Sequence, residues 1–181
     1  SLSEKNQIRD SISEKVGFRW FEFKDHGPFY LNGKRLLLRG THRHEEQAGV
    51  GAAMSNEQHW ADMKSIKDMG ANFVRLAHYP HNENMVKEAE KMGLMIWSEV
   101  PVYWTISWTN PDTYANAERQ LHDMIYRDKN RCGIVIWSIA NETPHGDDRD
   151  IFLSKLAKYA RTQDNSRLIS MAMEVTSSSN N

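Results

Sequence analysis

The chain has 181 residues, of which 39% are apolar, and this is enough to bury the core of one domain. Its 23 Lys and Arg residues against 24 Asp and Glu residues give a formal net charge of −1, which argues against nucleic acid or an anionic membrane surface as a partner. The single cysteine, Cys132, excludes an internal disulfide, and no apolar run approaches the roughly 20 residues of a membrane-spanning helix, so we expect a soluble protein, cytoplasmic or exported.

The first 38 residues have the pattern of β-structure. Residues 16–23 alternate apolar and polar side chains, which predicts a strand with one buried face. We interpret residues 1–27 as the tail of a preceding β-domain. Asn32 and Gly33 then predict a tight hairpin, because both tolerate the positive φ that a type I′ turn requires. A strand through residues 36–38 is expected to follow.

From residue 56 onward, predicted helices alternate with apolar strands. The helices are predicted at residues 56–70, 83–92, 114–129 and 150–162, and the strands at residues 72–76, 94–97, 133–140 and 168–173. In the first helix a three-residue spacing predicts the buried face: Trp60, Met63, Ile66 and Met69. Since the strands are apolar almost throughout, we expect a parallel sheet covered by helices.

Two architectures contain such a sheet, the open doubly wound sheet and the barrel. No Gly-x-Gly-x-x-Gly follows the first strand, and each strand ends in polar residues, which favours a barrel with its site at the carboxyl ends of the strands. A complete (β/α)8 TIM barrel needs eight units and roughly 250 residues, whereas about five strands are predicted here. We therefore assign residues 28–176 to a partial TIM barrel of the α/β class, and residues 177–181 to a frayed or truncated tail.

Polar residues at the ends of the predicted strands are the candidate site. They are His42, His44, Arg75, His78, Glu99, Asn141 and Glu142. Beside Trp137 and Ile139, Glu142 would be partly desolvated, which favours the protonated form that a general acid needs. The alternative is that Glu142 caps the next helix or pairs with an arginine. Asn141 offers a donor and an acceptor to a sugar hydroxyl, or is a turn residue.

Two further groups have both a functional and a structural interpretation. His42 and His44 have a spacing that suits a metal ion, with Glu45 or Glu99 as an oxygen ligand, but without a firm third ligand we interpret them as hydrogen-bonded structural residues. Aromatic residues after the third barrel strand are a platform for a sugar ring or simple local packing: Tyr103, Trp104 and Trp108.

Six segments together carry a family resemblance. They are residues 31–34 (Leu-Asn-Gly-Lys), 38–45 (Leu-Arg-Gly-Thr-His-Arg-His-Glu), 70–80 (Gly-Ala-Asn-Phe-Val-Arg-Leu-Ala-His-Tyr-Pro), 97–101 (Trp-Ser-Glu-Val-Pro), 127–130 (Arg-Asp-Lys-Asn) and 137–142 (Trp-Ser-Ile-Ala-Asn-Glu). In this order they resemble glycoside hydrolase family 2, over about residues 18–173. The resemblance implies the first strands of a catalytic TIM barrel, preceded by β-sandwich domains.

The resemblance also implies a retaining exo-β-glycosidase and a role for each matching residue. Glu142 matches the acid/base and Asn141 the ligand of the sugar 2-hydroxyl. His44 and His78 match pocket histidines, and Arg75 matches a buried arginine that supports the site. A retaining enzyme needs a second carboxylate about 5–5.5 Å from the first, as nucleophile. The family carries it on a later strand, so this chain is expected to lack it and to be inactive alone.

Residues 103–108 and 138–144 resemble the β-glucuronidase branch, with β-galactosidase as the next candidate and β-mannosidase after it. The loop after Glu99 lacks the Glu-x-His pattern that binds magnesium in some β-galactosidases, so we expect no metal or other cofactor. The expected partner is a terminal β-linked sugar, and a homo-oligomer is compatible with the sequence. A different class of function stays open, a non-catalytic carbohydrate-binding or structural half-barrel.

Overall fold

The computed structural model describes residues 2–4 and 7–174, so the tail predicted at residues 177–181 lies outside the described residues. The chain begins with the antiparallel strands β1 (Leu2–Glu4) and β2 (Gln7–Asp10). The strand predicted at residues 16–23 is only three residues long, β3 (Phe21–Phe23), and the expected buried face is wrong, because Phe18 is 95% exposed. The division between residues 27 and 28 into two domains stays a prediction.

The hairpin prediction is confirmed. Asn32 and Gly33 have φ values of 50° and 77°, and they join β4 (Phe29–Leu31) to β5 (Lys34–Leu36) in a three-stranded antiparallel sheet with β3. The strand predicted at residues 36–38 is therefore displaced. Because Leu36 pairs with Phe29 inside the hairpin, the first strand of the main sheet starts later.

The main sheet contains five parallel strands in the order β10-β9-β8-β7-β6. Its strands are β6 (Gly40–Arg43), β7 (Phe73–Leu76), β8 (Met95–Glu99), β9 (Ile134–Thr143) and β10 (Leu168–Met173). Each strand neighbours the next one in the chain, and the order does not reverse. A doubly wound sheet reverses its strand order at the ligand site, so this order excludes that alternative within the described residues and matches the start of a barrel.

Four helices connect these strands: α1 (Asn56–Asp68), α2 (Glu83–Lys91), α3 (Pro111–Asp128) and α4 (Asp147–Gln163). Ser55 and Gln58 form a reciprocal capping box at the start of α1. Helix α3 starts three residues before the predicted position, because Asn110 caps it and Pro111 occupies its first turn. Among the described residues, no helix is both long and apolar enough to cross a bilayer.

The helices cover one face of the sheet. In α1 the buried side chains are His59, Met63 and Ile66, whereas Trp60 is 49% exposed. The face predicted from a spacing of three is therefore only partly right. A helix has 3.6 residues per turn, so positions separated by four and then three, such as 59, 63 and 66, stay on one face. Trp60 lies outside this face.

The three-stranded sheet packs at the amino ends of the barrel strands. Phe29 forms a cluster with Met95, Val135 and Ile136, which lie at or near the starts of β8 and β9. Arg19 ties the preceding segment to the same end by donating to the carbonyls of Cys132 (3.0 Å) and Ile134 (2.6 Å). The three-stranded sheet therefore leaves the carboxyl ends of the barrel strands uncovered.

A buried and an exposed residue of helix α4 allow a controlled test of core packing. Leu156 is fully buried, whereas Ile151 on the same helix is 57% exposed. Leu156→Ala is expected to lower the free energy of unfolding by about 2–5 kcal/mol, because it leaves a cavity in a close-packed core. Ile151→Ala is expected to change it by less than about 0.5 kcal/mol. Chemical denaturation measures both, and equal effects would contradict the packing described here.

Asp164, which follows α4, connects this helix to the sheet. Its carboxylate accepts hydrogen bonds from Trp137 Nε1 at 2.9 Å and from Ser166, and it pairs with Arg167. Burial raises the pKa of Asp164, but these hydrogen bonds outweigh burial and lower the pKa to about 2.

The lowered pKa of Asp164 predicts a pH-dependent contribution to stability. An ordinary aspartate has a pKa of about 3.9, so the ionised carboxylate stabilises the fold fully above that pH, and the contribution is lost as the pH falls toward about 2. The stability difference between the native protein and Asp164→Asn is therefore expected to shrink over this window. Urea denaturation at several pH values measures it, and a difference that does not change with pH would refute the assignment.

Candidate active site

The carboxyl ends of the barrel strands border a cavity of about 450 Å³. It is lined by His44, Glu46, His78, Tyr79, Tyr103, Trp104, Asn141 and Glu142. Of the seven candidate residues at the predicted strand ends, His44, His78, Asn141 and Glu142 line this cavity, and Arg75 lies behind them. Residues separated by almost 100 positions meet here because parallel strands place their carboxyl ends on one edge.

Glu99, at the end of β8, is fully buried behind the cavity. Its two oxygens accept hydrogen bonds from four side chains: Arg75 (2.8 Å), His78 Nδ1 (2.6 Å), Trp97 Nε1 (3.1 Å) and Ser138 Oγ (2.7 Å). A buried carboxylate is tolerated only when it is paired and hydrogen-bonded, and here both oxygens are satisfied. Glu99 therefore holds its neighbours in place and is not free to react.

Arg75 connects Glu99 to the cavity wall. Its guanidinium stacks over the Trp97 ring at 4.9 Å, and its Nη2 donates to Asn141 Oδ1 at 2.6 Å. Asn141 itself is buried, with 2% of its surface exposed. Because its carbonyl oxygen accepts from Arg75, the amide NH2 group is the end of Asn141 that can donate to a ligand.

His44 and His78 form one wall of the cavity, with their rings edge to face at 4.9 Å. The short contact between His78 Nδ1 and Glu99 assigns the Nδ1 proton to that hydrogen bond, which leaves Nε2 as the nitrogen for a ligand. The His44 loop is fixed by its neighbour Glu45. The Glu45 N–H donates to the Tyr79 hydroxyl (3.1 Å), and its carboxylate accepts from the N–H of Asn82 (2.7 Å) at the start of α2.

Glu142 lies at the end of β9 with a φ of 49°, and it is exposed on the cavity wall. The half-burial predicted from Trp137 and Ile139 is wrong. Both side chains belong to the buried cluster of the core, and Trp137 donates to Asp164. The indole that contacts Glu142 is instead Trp104, whose Nε1 donates to Oε2 at 3.2 Å. The helix-cap alternative is wrong too, since the N-cap residue of α4 is Gly146 and no side chain caps this helix.

The structure places some of the remaining candidate residues in the cavity and others outside it. Tyr103 and Trp104 line the cavity, but Trp108 packs edge to face on Phe152 at 5.4 Å and belongs to the core. His42 is exposed and lies outside the cavity lining. In the described part of the chain, no group of three or more His, Cys, Asp or Glu side chains is arranged to hold a metal ion.

Sequence reasoning assigned no role to Glu46 and Tyr79, which line the cavity. It placed Glu99 among the candidates but missed its role as the common partner of four side chains. A signal for Glu99 was present in the pattern, because side chains two positions apart in a strand share a face. Trp97 and Glu99 are so spaced, and Trp97 pairs with Arg75 on the neighbouring strand.

The model of the family described as "Glycosyl hydrolases family 2, TIM barrel domain" matches residues 21–180. The chain belongs to this family. The predicted partial TIM barrel is thereby confirmed, and solved structures of the family share the fold. The crystal structure of Parabacteroides merdae beta-glucuronidase superposes with a TM-score of 0.82 and 38% identity, covering 87% of this chain and 21% of that one.

Two curated relatives show the breadth of the family. A protein of Formosa agariphila, named as a candidate beta-glucuronidase, is 52% identical over 177 residues, covering 92% of this chain and 21% of its own length. A beta-galactosidase of Thermoanaerobacter pseudethanolicus is 35% identical over 171 residues, covering 92% of this chain and 22% of its own length. The chain thus spans about a fifth of the relatives it matches.

Proposed function

We propose that this chain is part of the catalytic barrel of a retaining exo-β-glycosidase in which Glu142 is the general acid/base. The observation that supports the proposal is the pairing of Asn141 and Glu142 at the end of β9. The buried amide, fixed by Arg75, and the exposed carboxyl group line the same cavity. A proton donor beside a fixed hydrogen-bonding group is what cleavage of a glycosidic bond requires.

In the proposed reaction Glu142 protonates the glycosidic oxygen while a second carboxylate attacks the anomeric carbon, and Glu142 then removes a proton from the incoming water. The two carboxylates of a retaining enzyme lie about 5–5.5 Å apart. Glu99 cannot be the second, because four donors occupy its oxygens. As the family resemblance implies, the nucleophile is assigned to a later strand of the barrel, outside these residues, and the 181-residue chain is expected to be inactive alone.

The other predicted residues have distinct roles in this proposal. Asn141 donates to the sugar 2-hydroxyl through its amide, and His44 and His78, which line the same cavity, contact the sugar as well. Arg75 acts through its partners, because it orients Asn141 and Glu99 from behind the cavity and does not line it. Arg75 is thus a positioning residue, which agrees with the supporting role that the resemblance implies.

The proposed substrate is a terminal β-glucuronide, with a β-galactoside as the second candidate. The relatives support the preference for a glucuronide. The Formosa agariphila protein, at 52% identity, is named as a candidate beta-glucuronidase, and the Thermoanaerobacter pseudethanolicus protein, at 35%, is named as a beta-galactosidase. Hydrolysis of 4-nitrophenyl β-D-glucuronide, galactoside and mannoside by the full-length protein tests the choice. Faster turnover of the glucuronide is expected, and turnover of the galactoside alone would overturn the preference.

One observation favours a second candidate, a non-catalytic carbohydrate-binding barrel. Glu142 is exposed, so its carboxyl group lacks the desolvation that would adapt it to proton donation. Calorimetric titration of the full-length protein with glucuronic acid, beside the hydrolysis assay, separates the two candidates. Binding without hydrolysis of any of the three glycosides would support the non-catalytic role.

A further inference from the structure

The loop that follows β8 continues along the end of β9. Val102 accepts a hydrogen bond from the N–H of Asn141 at 2.9 Å, and the carbonyl of Asn141 accepts one from the N–H of Trp104 at 3.1 Å. Tyr103 is accordingly bridged to Asn141 in a parallel arrangement. Both backbone groups of Asn141 are therefore bonded to the loop, so the loop and the residue before Glu142 form one unit.

This backbone arrangement brings two side chains together. Trp104 has a φ of 56° and Glu142 a φ of 49°, and both values lie in the left-handed region that bulky residues rarely occupy. From these positions the indole Nε1 of Trp104 donates to Oε2 of Glu142 at 3.2 Å. The contact is thus set by the backbone on both sides and does not depend only on two free rotamers.

We propose that Trp104 is a positioning residue for Glu142 and that its indole N–H selects the carboxyl oxygen that transfers the proton. This inference rests on the proposed function. An oxygen that accepts the indole hydrogen bond is a poor site for the acidic proton, since a protonated carboxyl oxygen is a weak acceptor. The N–H on Oε2 therefore leaves Oε1 to carry the proton.

The hydrogen bond favours the first step of the reaction. When the O–H bond at Oε1 breaks and its proton moves to the glycosidic oxygen, the electron pair stays on Glu142, and the indole now donates to a carboxylate. Hydrogen bonds to ionised acceptors are about twice as strong as neutral ones, so the product of proton transfer is stabilised more than the starting state. In the second step Oε1 takes a proton from water, whose oxygen bonds to the anomeric carbon as the bond to the nucleophile breaks.

The neighbouring Tyr103 provides a matched control. It lines the same cavity, and its ring lies edge-on to the Trp104 ring at 5.7 Å, so both residues contribute aromatic surface. Of these two side chains, Trp104 is the one that donates a hydrogen bond to Glu142 in the described part of the structure. Trp104→Phe removes this donor and keeps a ring, whereas Tyr103→Phe keeps the Trp104 donor.

The test is the dependence of kcat/KM on leaving-group basicity, since this ratio reports the first, proton-donating step. The full-length protein and its Trp104→Phe, Tyr103→Phe and Glu142→Gln variants are assayed on aryl glycosides whose phenols differ in basicity. Trp104→Phe is expected to lose about tenfold on the most basic phenol, the effect of one hydrogen bond to a charged group, and little on the most acidic phenol, which departs without a proton. In Tyr103→Phe, kcat/KM is expected to depend on leaving-group basicity as it does in the native protein.

The outcomes separate this inference from the function on which it rests. In one outcome, kcat/KM falls more steeply with leaving-group basicity in Glu142→Gln than in the native protein, but not in Trp104→Phe. Glu142 is then the acid, and the role of Trp104 is refuted. An equal loss on all phenols in Trp104→Phe would likewise refute it, because loss of packing does not distinguish leaving groups. If kcat/KM of Glu142→Gln depended on leaving-group basicity as it does in the native protein, both proposals would be overturned.

Discussion

The full-length protein with Glu142→Gln is expected to lose about 10²–10⁴-fold in kcat/KM toward glycosides with basic leaving groups. Glutamine has nearly the shape of glutamate and can still accept from Trp104 Nε1, but its amide has no acidic proton to transfer to the leaving group. The loss is expected to be much smaller when the leaving group is an acidic phenol. Initial rates on a strongly basic and a strongly acidic aryl glycoside measure the contrast.

Two further variants make the Glu142 result specific. Asp147→Asn removes an exposed carboxylate in the first turn of α4 and is expected to keep native rates. Glu46→Gln removes the other carboxylate that lines the cavity. If the loss with basic leaving groups followed Glu46→Gln and not Glu142→Gln, Glu46 would be the acid and the assignment of Glu142 would be wrong.

Glu99→Gln is expected to lower the free energy of unfolding by about 3–5 kcal/mol. The substitution removes the negative charge that Arg75 faces in the interior, where Glu99 has no exposed surface. It also replaces one of the two acceptor oxygens by an NH2 group, so either His78, which donates to Oε1, or Ser138, which donates to Oε2, loses its acceptor and the cavity wall is expected to lose order. Guanidinium denaturation of the full-length variant measures the stability loss, and kcat/KM is expected to fall with it.

An exposed ion pair is the control for the Glu99 result. Glu83 pairs with Lys87 and Arg131 on the surface of α2, with 44% of its side chain exposed. Glu83→Gln is expected to cost no more than about 1 kcal/mol, since solvent screens such pairs. Similar losses for the two variants would contradict the central role assigned to the buried Glu99 carboxylate.

The alternation of helices and strands was predictable because local rules and tertiary packing agree in this chain. Helix α1 starts at a capping box and is followed by Gly70, whose φ of 84° suits a helix stop. Strand β6 was displaced in the prediction for a physical reason. Its residues, Gly40–Arg43, have no apolar pattern, and they become a strand only through pairing with β7.

The site was predictable in composition but not in its contacts. His44, His78, Asn141 and Glu142 were expected to meet, since each was predicted to follow a parallel strand, and all four line the cavity. The contact between Trp104 and Glu142 could not be inferred, because it depends on two left-handed residues that the sequence pattern does not reveal. The exposure of Glu142 was missed for a related reason, as its sequence neighbours Trp137 and Ile139 pack into the core.

Chemical rescue tests the role of Glu142 most directly. In the full-length Glu142→Ala variant, azide ion fits the vacated space and attacks the anomeric carbon without needing a general base. If Glu142 is the acid/base of a retaining enzyme, azide accelerates turnover of an aryl glycoside with an acidic phenol, and NMR identifies the product as the β-glycosyl azide. An α-glycosyl azide would instead show that Glu142 is the nucleophile, and a rate that does not respond to azide would contradict a role in either step.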